Sequence, residues 1–327
     1  MRRLVLGFVF WLICLIIGLT PVNAGEKTIL RCAGLHTPDY PAVEGLFYLS
    51  RLVKEQTQGR IEVMVYPNGM LGSGAAVIEM VKHGILEMGL VSAALLTEAA
   101  PEFGVFSLPY LFKDNRHKWK VLDGAIGQRM LNSLSKVGLI GLGFHESGYR
   151  CFYNSKHPVY RPEDLKGLRI RVQPNTMMIT LMEYLGAFPV PINYKEVTSA
   201  LTAGIIDGAE NNLANYFLNE HFLWASYYSL DRHAAIPEIL IMSQKAWLGL
   251  SPADRQIITA AVHKTVNYQR RRWAEFETQC LEKLLRSGCR LNEVDLEEFN
   301  KTGQLFIQSH AREYQNLVET IKKTAGE

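Results

Sequence analysis

Between Leu168 and Gln173 the chain alternates, with Leu168, Ile170 and Val172 apolar and Arg169, Arg171 and Gln173 polar. A period of two places the apolar set on one face of a short strand and the polar set on the other. Pro174 offers no backbone N–H and ends the ladder, and the apolar run from Met177 to Leu185 predicts a helix after it. In a strand-then-helix unit, ligands meet the chain at the carboxyl end of the strand, where Arg171 falls. A guanidinium fork matches the two oxygens of a carboxylate. The plainer reading makes Arg171 a surface strand arginine paired with a nearby acid.

The first half reads with the same grammar. Strands are predicted at Thr28–Gly34, Ile61–Tyr66 and Ile85–Val91, with helices up to about Glu55 and from Ala75 to His83 between them. Gly84 supplies a favoured residue just past a helix end. This β-α-β-α-β order predicts a parallel sheet covered by helices. Helices at Arg116–Leu122 and Ile126–Val137 and extended pieces at Leu139–Phe144 and Tyr149–Asn154 follow. The grammar returns later: Gly84-Ile-Leu-Glu87 is echoed by Gly204-Ile-Ile-Asp207. Two lobes of similar build are expected, with strand ends facing a shared cleft, a preferred place for a ligand. The lobes are expected to exchange chain near Glu146–Tyr149 and near Leu230–Ile236. Ser251-Pro-Ala-Asp254 carries the cap, proline and acid of a helix start. The periodic run to Gly288 predicts one helix long enough to brace both lobes, or two with a hidden break. An amphipathic helix from Asp295 to Lys323 closes the chain.

Composition adds an address. Arg2 and Arg3 precede an apolar run from Leu4 to Leu19, and Val22-Asn-Ala24 has the small residues of a cleavage site. Residues 1–24 are therefore expected to be a signal peptide, removed on export to the periplasm. Removing them takes away two arginines and no acid, so the net charge of +3 falls to +1. A nearly neutral chain argues against nucleic acid as a partner. Of the remaining cysteines, Cys280 and Cys289 are the close pair, but buried free thiols are the expectation in a domain with a real core. No spacing resembles a zinc site, and no metal or cofactor is expected.

Catalytic signatures are missing. Gly141-Leu-Gly143 lacks the third glycine of a dinucleotide loop, and Ser92 lacks the glycines of a nucleophile elbow. What remains is a binding set. Arg150 follows Glu146 at the crossing between lobes and reads as a second anion clamp or as a hinge partner of Glu146. Asn211 ends the strand parallel to that of Arg171, and its amide suits a carboxylate or a hydroxyl; its other role would be to cap the next helix. Asn193-Tyr-Lys-Glu196 forms a capping box and sets Tyr194 at a strand-to-helix junction on the same edge. His36 and Asn68 lie on first-lobe loops, Asn68 in a turn.

These segments resemble the periplasmic substrate-binding proteins of tripartite ATP-independent (TRAP) transporters. The likeness is carried by Tyr66-Pro-Asn-Gly-Met-Leu-Gly72, Pro101–Phe112, Pro162–Gln173 and Ala203–Asn211, and covers essentially the whole mature chain. The resemblance implies an α/β fold of two lobes, each a mixed, mostly parallel sheet flanked by helices. The lobes would take residues 25–148 with about 233–262, and 149–232 with about 280–327, spanned by the helix at 251–287. It implies a non-catalytic, monomeric receptor that closes around a small-molecule carboxylate and delivers it to a sodium-driven membrane permease. The ligand contacts it implies are Arg171, Arg150, Asn211 and Tyr194. Asn212 replaces the family's proline, and that second amide, with Glu146 and Glu210 nearby, suits a hydroxylated sugar acid such as a hexuronate. A C4-dicarboxylate or keto acid is the alternative ligand, and an exported sugar-acid enzyme or a receptor-kinase sensor are the alternative roles. After Gly72 the chain has Ser73-Gly-Ala-Ala76, where the family has polar, often acidic residues.

Overall fold

The computed structural model describes residues 27–326. The signal peptide expected at residues 1–24 lies outside them. The first stretch runs β1 (Thr28–Ala33), α1 (Pro41–Gln56), β2 (Ile61–Tyr66), α2 (Gly74–Lys82), β3 (Met88–Ser92), α3 (Asn115–Asp123), α4 (Ala125–Ser133) and β4 (Leu139–His145). The second runs β5 (Arg150–Asn154), β6 (Arg169–Val172), α5 (Thr176–Tyr184), β7 (Phe188–Pro191), α6 (Val197–Thr202), β8 (Gly208–Asn211), α7 (Leu213–Leu218) and β9 (Tyr227–Ala234). The chain then returns through β10 (Glu238–Ser243) and α8 (Gln244–Gly249). The long α9 (Pro252–Arg286), β11 (Arg290–Asn292), α10 (Leu296–His310) and α11 (Gln315–Lys323) complete it.

Two sheets result, ordered β2-β1-β3-β10-β4 and β11-β9-β5-β8-β6-β7. In the first, β1 to β3 are parallel, as the alternation of strands and helices predicts. Strand β10 lies antiparallel between β3 and β4, because it comes straight back from the second lobe without a helical crossover. The molecule is a two-lobed α/β protein with mixed sheets. Strand β3 starts later than the apolar run Ile85–Val91. The Ile85 and Leu86 amides are spent on the Met80 carbonyl, closing off α2.

Two crossings join the sheets, at residues 146–149 and 235–237, the second falling at the end of the expected stretch Leu230–Ile236 because β9 runs on to Ala234. The third connection is α9, unbroken over 35 residues, roughly 52 Å at 1.5 Å per residue. Ser251 caps it by accepting from the Asp254 amide, with Pro252 in the first turn. Its buried Trp273 packs edge-on against Tyr40 at 5.4 Å. The first crossing is fastened to α9 by Gln269, whose amide donates to the Glu146 carbonyl and accepts from the Glu146 N–H, both at 2.9 Å. That pairing satisfies a peptide with no sheet neighbour in a fully buried place. Gly148 lies in the left-handed region at φ +64°, and a Cβ there would stand 2.7 Å from Trp273.

The chain's end departs from the single helix expected. Ala311 leaves helical geometry at φ −124°, ψ 38°, so α10 and α11 are separate. The break lets α11 reach the first lobe rather than stay on the second. Tyr314 donates to the Pro101 carbonyl at 2.9 Å, and His117 of α3 contacts the Ile321 carbonyl at 2.9 Å. Buried Val318 and Ile321 supply the apolar contact that holds it there. Cys32, Cys151, Cys280 and Cys289 are free thiols. Among the described residues no helix is long and apolar enough to cross a membrane, and no cluster of side chains could hold a metal ion.

Candidate functional site

The register of the second sheet explains why residues far apart in sequence converge. Arg171 stands opposite Ala209 of β8 and Val190 of β7, and Cys151 of the antiparallel β5 stands opposite Asn211. The carboxyl ends of β6 and β8 and the amino end of β5 therefore share one edge, facing the first lobe. There they line a cavity of about 330 Å3, within the size range of sites for small molecules. Arg171, Arg150, Asn211, Asn215, Gln173 and Tyr194 come from the second lobe, and His36, Ser73, Ser92 and Glu238 from the first.

Both faces of β6 are covered, so its polar positions are not simply solvated. Arg169 pairs with Asp207 at 2.8 Å on the outside. Arg171 is 2% exposed, and its one hydrogen bond to a described residue runs from Nε to the Ile192 carbonyl at 3.0 Å. No described acid lies within ion-pair distance of it, so the plainer reading of a salt-bridged surface arginine does not hold. Burial lowers its pKa from the ordinary 12.5 to about 10, because a low-dielectric site disfavours the charged form. The remaining N–H donors of the fork are uncommitted to described residues.

Arg150 is in the opposite condition. It grips the Glu210 carboxylate with Nε and with Nη2 at 2.9 Å, the Glu210 carbonyl at 2.7 Å, and the Asn211 side-chain oxygen at 3.1 Å. Glu210 is completely buried, and although burial works to raise its pKa, Arg150 and His233 hold it down at about 2. Arg150 thus brings its own counter-ion, whereas Arg171 does not. Asn211 spends its oxygen on Arg150, on the Asn212 amide at 2.9 Å and on Asn215 at 3.2 Å. That leaves its amide N–H groups as the part offered to the cavity. Tyr194 donates to Asn215 at 2.8 Å and accepts from Asn219 at 2.7 Å, and His36 meets it edge-on at 4.8 Å.

Of the residues expected at the site, Arg171, Arg150, Asn211, Tyr194 and His36 line the cavity; Glu146, Glu210 and Asn68 do not. Glu146 is bound to Lys118 at 2.7 Å, away from Arg150. Glu210 stands behind Arg150 as its counter-ion. Asn68 sits at φ +56° in a turn whose amide donates to the His36 carbonyl at 2.8 Å. Asn212, the residue in the proline's place, does not line the cavity either. It caps α7 and donates to Tyr40 at 3.2 Å and to the Ser147 carbonyl at 2.8 Å, tying the second lobe to the first and to the crossing.

Sequence reasoning missed Glu238, Lys195, Ser147, Asn215 and Gln173. Glu238 opens the apolar run Ile239–Met242, and an acid just before a strand was the available signal. Lys195 gives none, since only the tertiary structure brings its Nζ to the Gly69 carbonyl at 3.2 Å. A second bond across the cleft joins Asn175 to the Ala94 carbonyl at 2.8 Å.

The family model for bacterial extracellular solute-binding protein, family 7, matches residues 33–314. A solute-binding protein of Chromohalobacter salexigens is 35% identical over 293 residues, 88% of this chain and 87% of that protein. Among solved structures, a TRAP periplasmic solute-binding protein from Sulfitobacter sp. NAS-14.1 with bound β-D-galacturonate is similar at 32% identity and a TM-score of 0.87, covering 90% of this chain and all of that one. One from Chromohalobacter salexigens with bound D-glucuronate is similar at 35% identity and a TM-score of 0.86, covering 90% and 99%. With two lobes, three connections between them and a carboxylate-ready cavity at their junction, this chain belongs to the family 7 bacterial extracellular solute-binding proteins, the periplasmic receptors of TRAP transporters.

Proposed function

We propose that this protein captures a hexuronate in the interlobe cavity, by a salt bridge between the ligand carboxylate and Arg171, and delivers it to a sodium-coupled TRAP permease. The observation that carries this reading is the buried Arg171 fork, one N–H of which is engaged by a described residue. A buried cation without a partner is costly, and a ligand carboxylate with two oxygens offsets that cost with charge-assisted bonds. Asn211 and Tyr194 supply neutral polar groups beside it, and Arg150 acts as a fixed donor set by Glu210. The similar structures that hold galacturonate and glucuronate support a six-carbon sugar acid over a C4-dicarboxylate or keto acid.

The role is capture without turnover. Among the described residues that line the cavity, His36 is paired with Glu238 and Arg150 with Glu210 behind it, and no hydrogen bond joins a lining serine to a lining histidine or acid as a nucleophile–base pair would. Export by the leader at residues 1–24 and a monomeric state belong to the same reading. The test is a thermal-shift screen of the mature protein against hexuronates, aldonates, C4-dicarboxylates and keto acids. A ligand that binds only the native state must raise the melting temperature by mass action. A large shift with galacturonate or glucuronate is expected; a shift confined to succinate-like or keto acids would retire the sugar-acid reading.

A further inference from the structure

The first lobe contributes one buried acid to the cavity wall, Glu238, which is 4% exposed. One of its oxygens meets His36 Nε2 at 2.6 Å, and the other has no hydrogen-bond partner among the described residues. His36 is itself positioned, stacked on Tyr40 with ring centroids 4.0 Å apart. Its Nδ1 has no partner among the described residues either, and the tautomer with hydrogen on Nε2 lets the ring donate to the carboxylate in the short contact. Glu238 also acts electrostatically on Tyr194 from across the cavity: it is among the causes, after burial, that raise the Tyr194 pKa. Lys195, which also lines the cavity, is exposed and therefore screened by water.

Arg171 lines the cavity from the second lobe and this pair lines it from the first. We propose that Glu238, oriented by His36, sets ligand class: it accepts hydrogen bonds from ligand hydroxyls and turns away ligands with a second carboxylate on its side. The inference rests on the carboxylate reading of Arg171. A hydroxyl gives the unpartnered carboxylate oxygen a donor. A second carboxylate brings a like charge, and no donor, to a group shielded from solvent. The favoured ligands are therefore polyhydroxylated monocarboxylates.

Calorimetric titration of the ligand-free mature protein with galacturonate, glucuronate and galactarate tests this. Galactarate keeps the six carbons but carries a carboxylate at C1 in place of the ring-forming aldehyde, so the change in preference on removing the Glu238 carboxylate, rather than the wild-type preference alone, reports the charge. Wild-type protein is expected to prefer the hexuronates over galactarate by at least a hundredfold. Glu238→Gln removes the charge at nearly constant shape and should weaken hexuronate binding about tenfold while narrowing the preference by tenfold or more. His36→Gln, which leaves the acid in place but loosens it, should weaken hexuronate binding and keep the preference. Urea midpoints of both ligand-free variants verify that they fold. An unchanged preference in folded Glu238→Gln, or wild-type protein that binds galactarate as tightly as galacturonate, overturns the inference and leaves the Arg171 reading standing. Wild-type protein that binds none of the three overturns both.

Discussion

Replacing Arg171 separates two contributions that usually move together. In the ligand-free protein its fork is buried with one bond to a carbonyl. A pKa lowered from 12.5 to about 10 corresponds to roughly 3 kcal/mol against the charged form in the fold. Arg171→Met keeps most of the apolar stem and removes the charge. The ligand-free variant is expected to unfold in urea at the same midpoint as wild type or a higher one. Binding should move the other way. Truncating one member of a buried, hydrogen-bonded charge pair costs about 2–5 kcal/mol, or about thirtyfold to several thousandfold in Kd. Calorimetry with galacturonate and equilibrium urea unfolding on the same samples check both. An Arg171→Met protein that binds within threefold of wild type would refute the clamp. A ligand-free variant destabilised by more than about 1 kcal/mol would refute the reasoning that this arginine is a cost carried for function.

Three further outcomes follow from the lobes and the crossing. His233 lies buried between Asp231 at 2.7 Å and Glu210 at 3.5 Å; burial opposes its charge, but the two acids outweigh it and raise its pKa to about 9. A raised folded-state value means that its stabilisation is complete below about 6.5 and fades as pH climbs through 9; urea midpoints from pH 6 to pH 10 should fall, and His233→Gln should flatten that fall. Gln269→Leu leaves the Glu146 peptide unpaired on both sides and should cost about 1–3 kcal/mol per stranded group, read as the urea midpoint; a neutral result would mean that water replaces the amide. Asn212→Ala removes donors to Tyr40 and Ser147 across the lobes, so hexuronate affinity should fall by about 1 kcal/mol per net hydrogen bond, and an unchanged Kd would show that the tie does not favour closure.

The residue types and their spacing determined much of this protein. Alternation at Leu168–Gln173 makes β6 a strand and puts Arg171 near its carboxyl end, because side-chain direction in a strand is a local property. Proline, glycine and capping residues bound α9 and α2 for the same reason: the backbone groups they satisfy are their immediate neighbours. Partners were not legible in the sequence. Arg150 was equally compatible with Glu146, four residues away, and the fold gives it Glu210, sixty residues on, because β5 runs antiparallel to β8. Asn212 looked like a ligand amide and is an interlobe tie, since α1 brings Tyr40 beside it. Glu238 gains its place on the cavity wall only because β10 returns from the second lobe between β3 and β4. The break at Ala311, invisible in an amphipathic pattern that continues through it, follows from the apolar contact that α11 finds on the first lobe. Local propensity writes strands, helices and caps; which charges meet across a cleft depends on long-range register, and only the tertiary structure decided that.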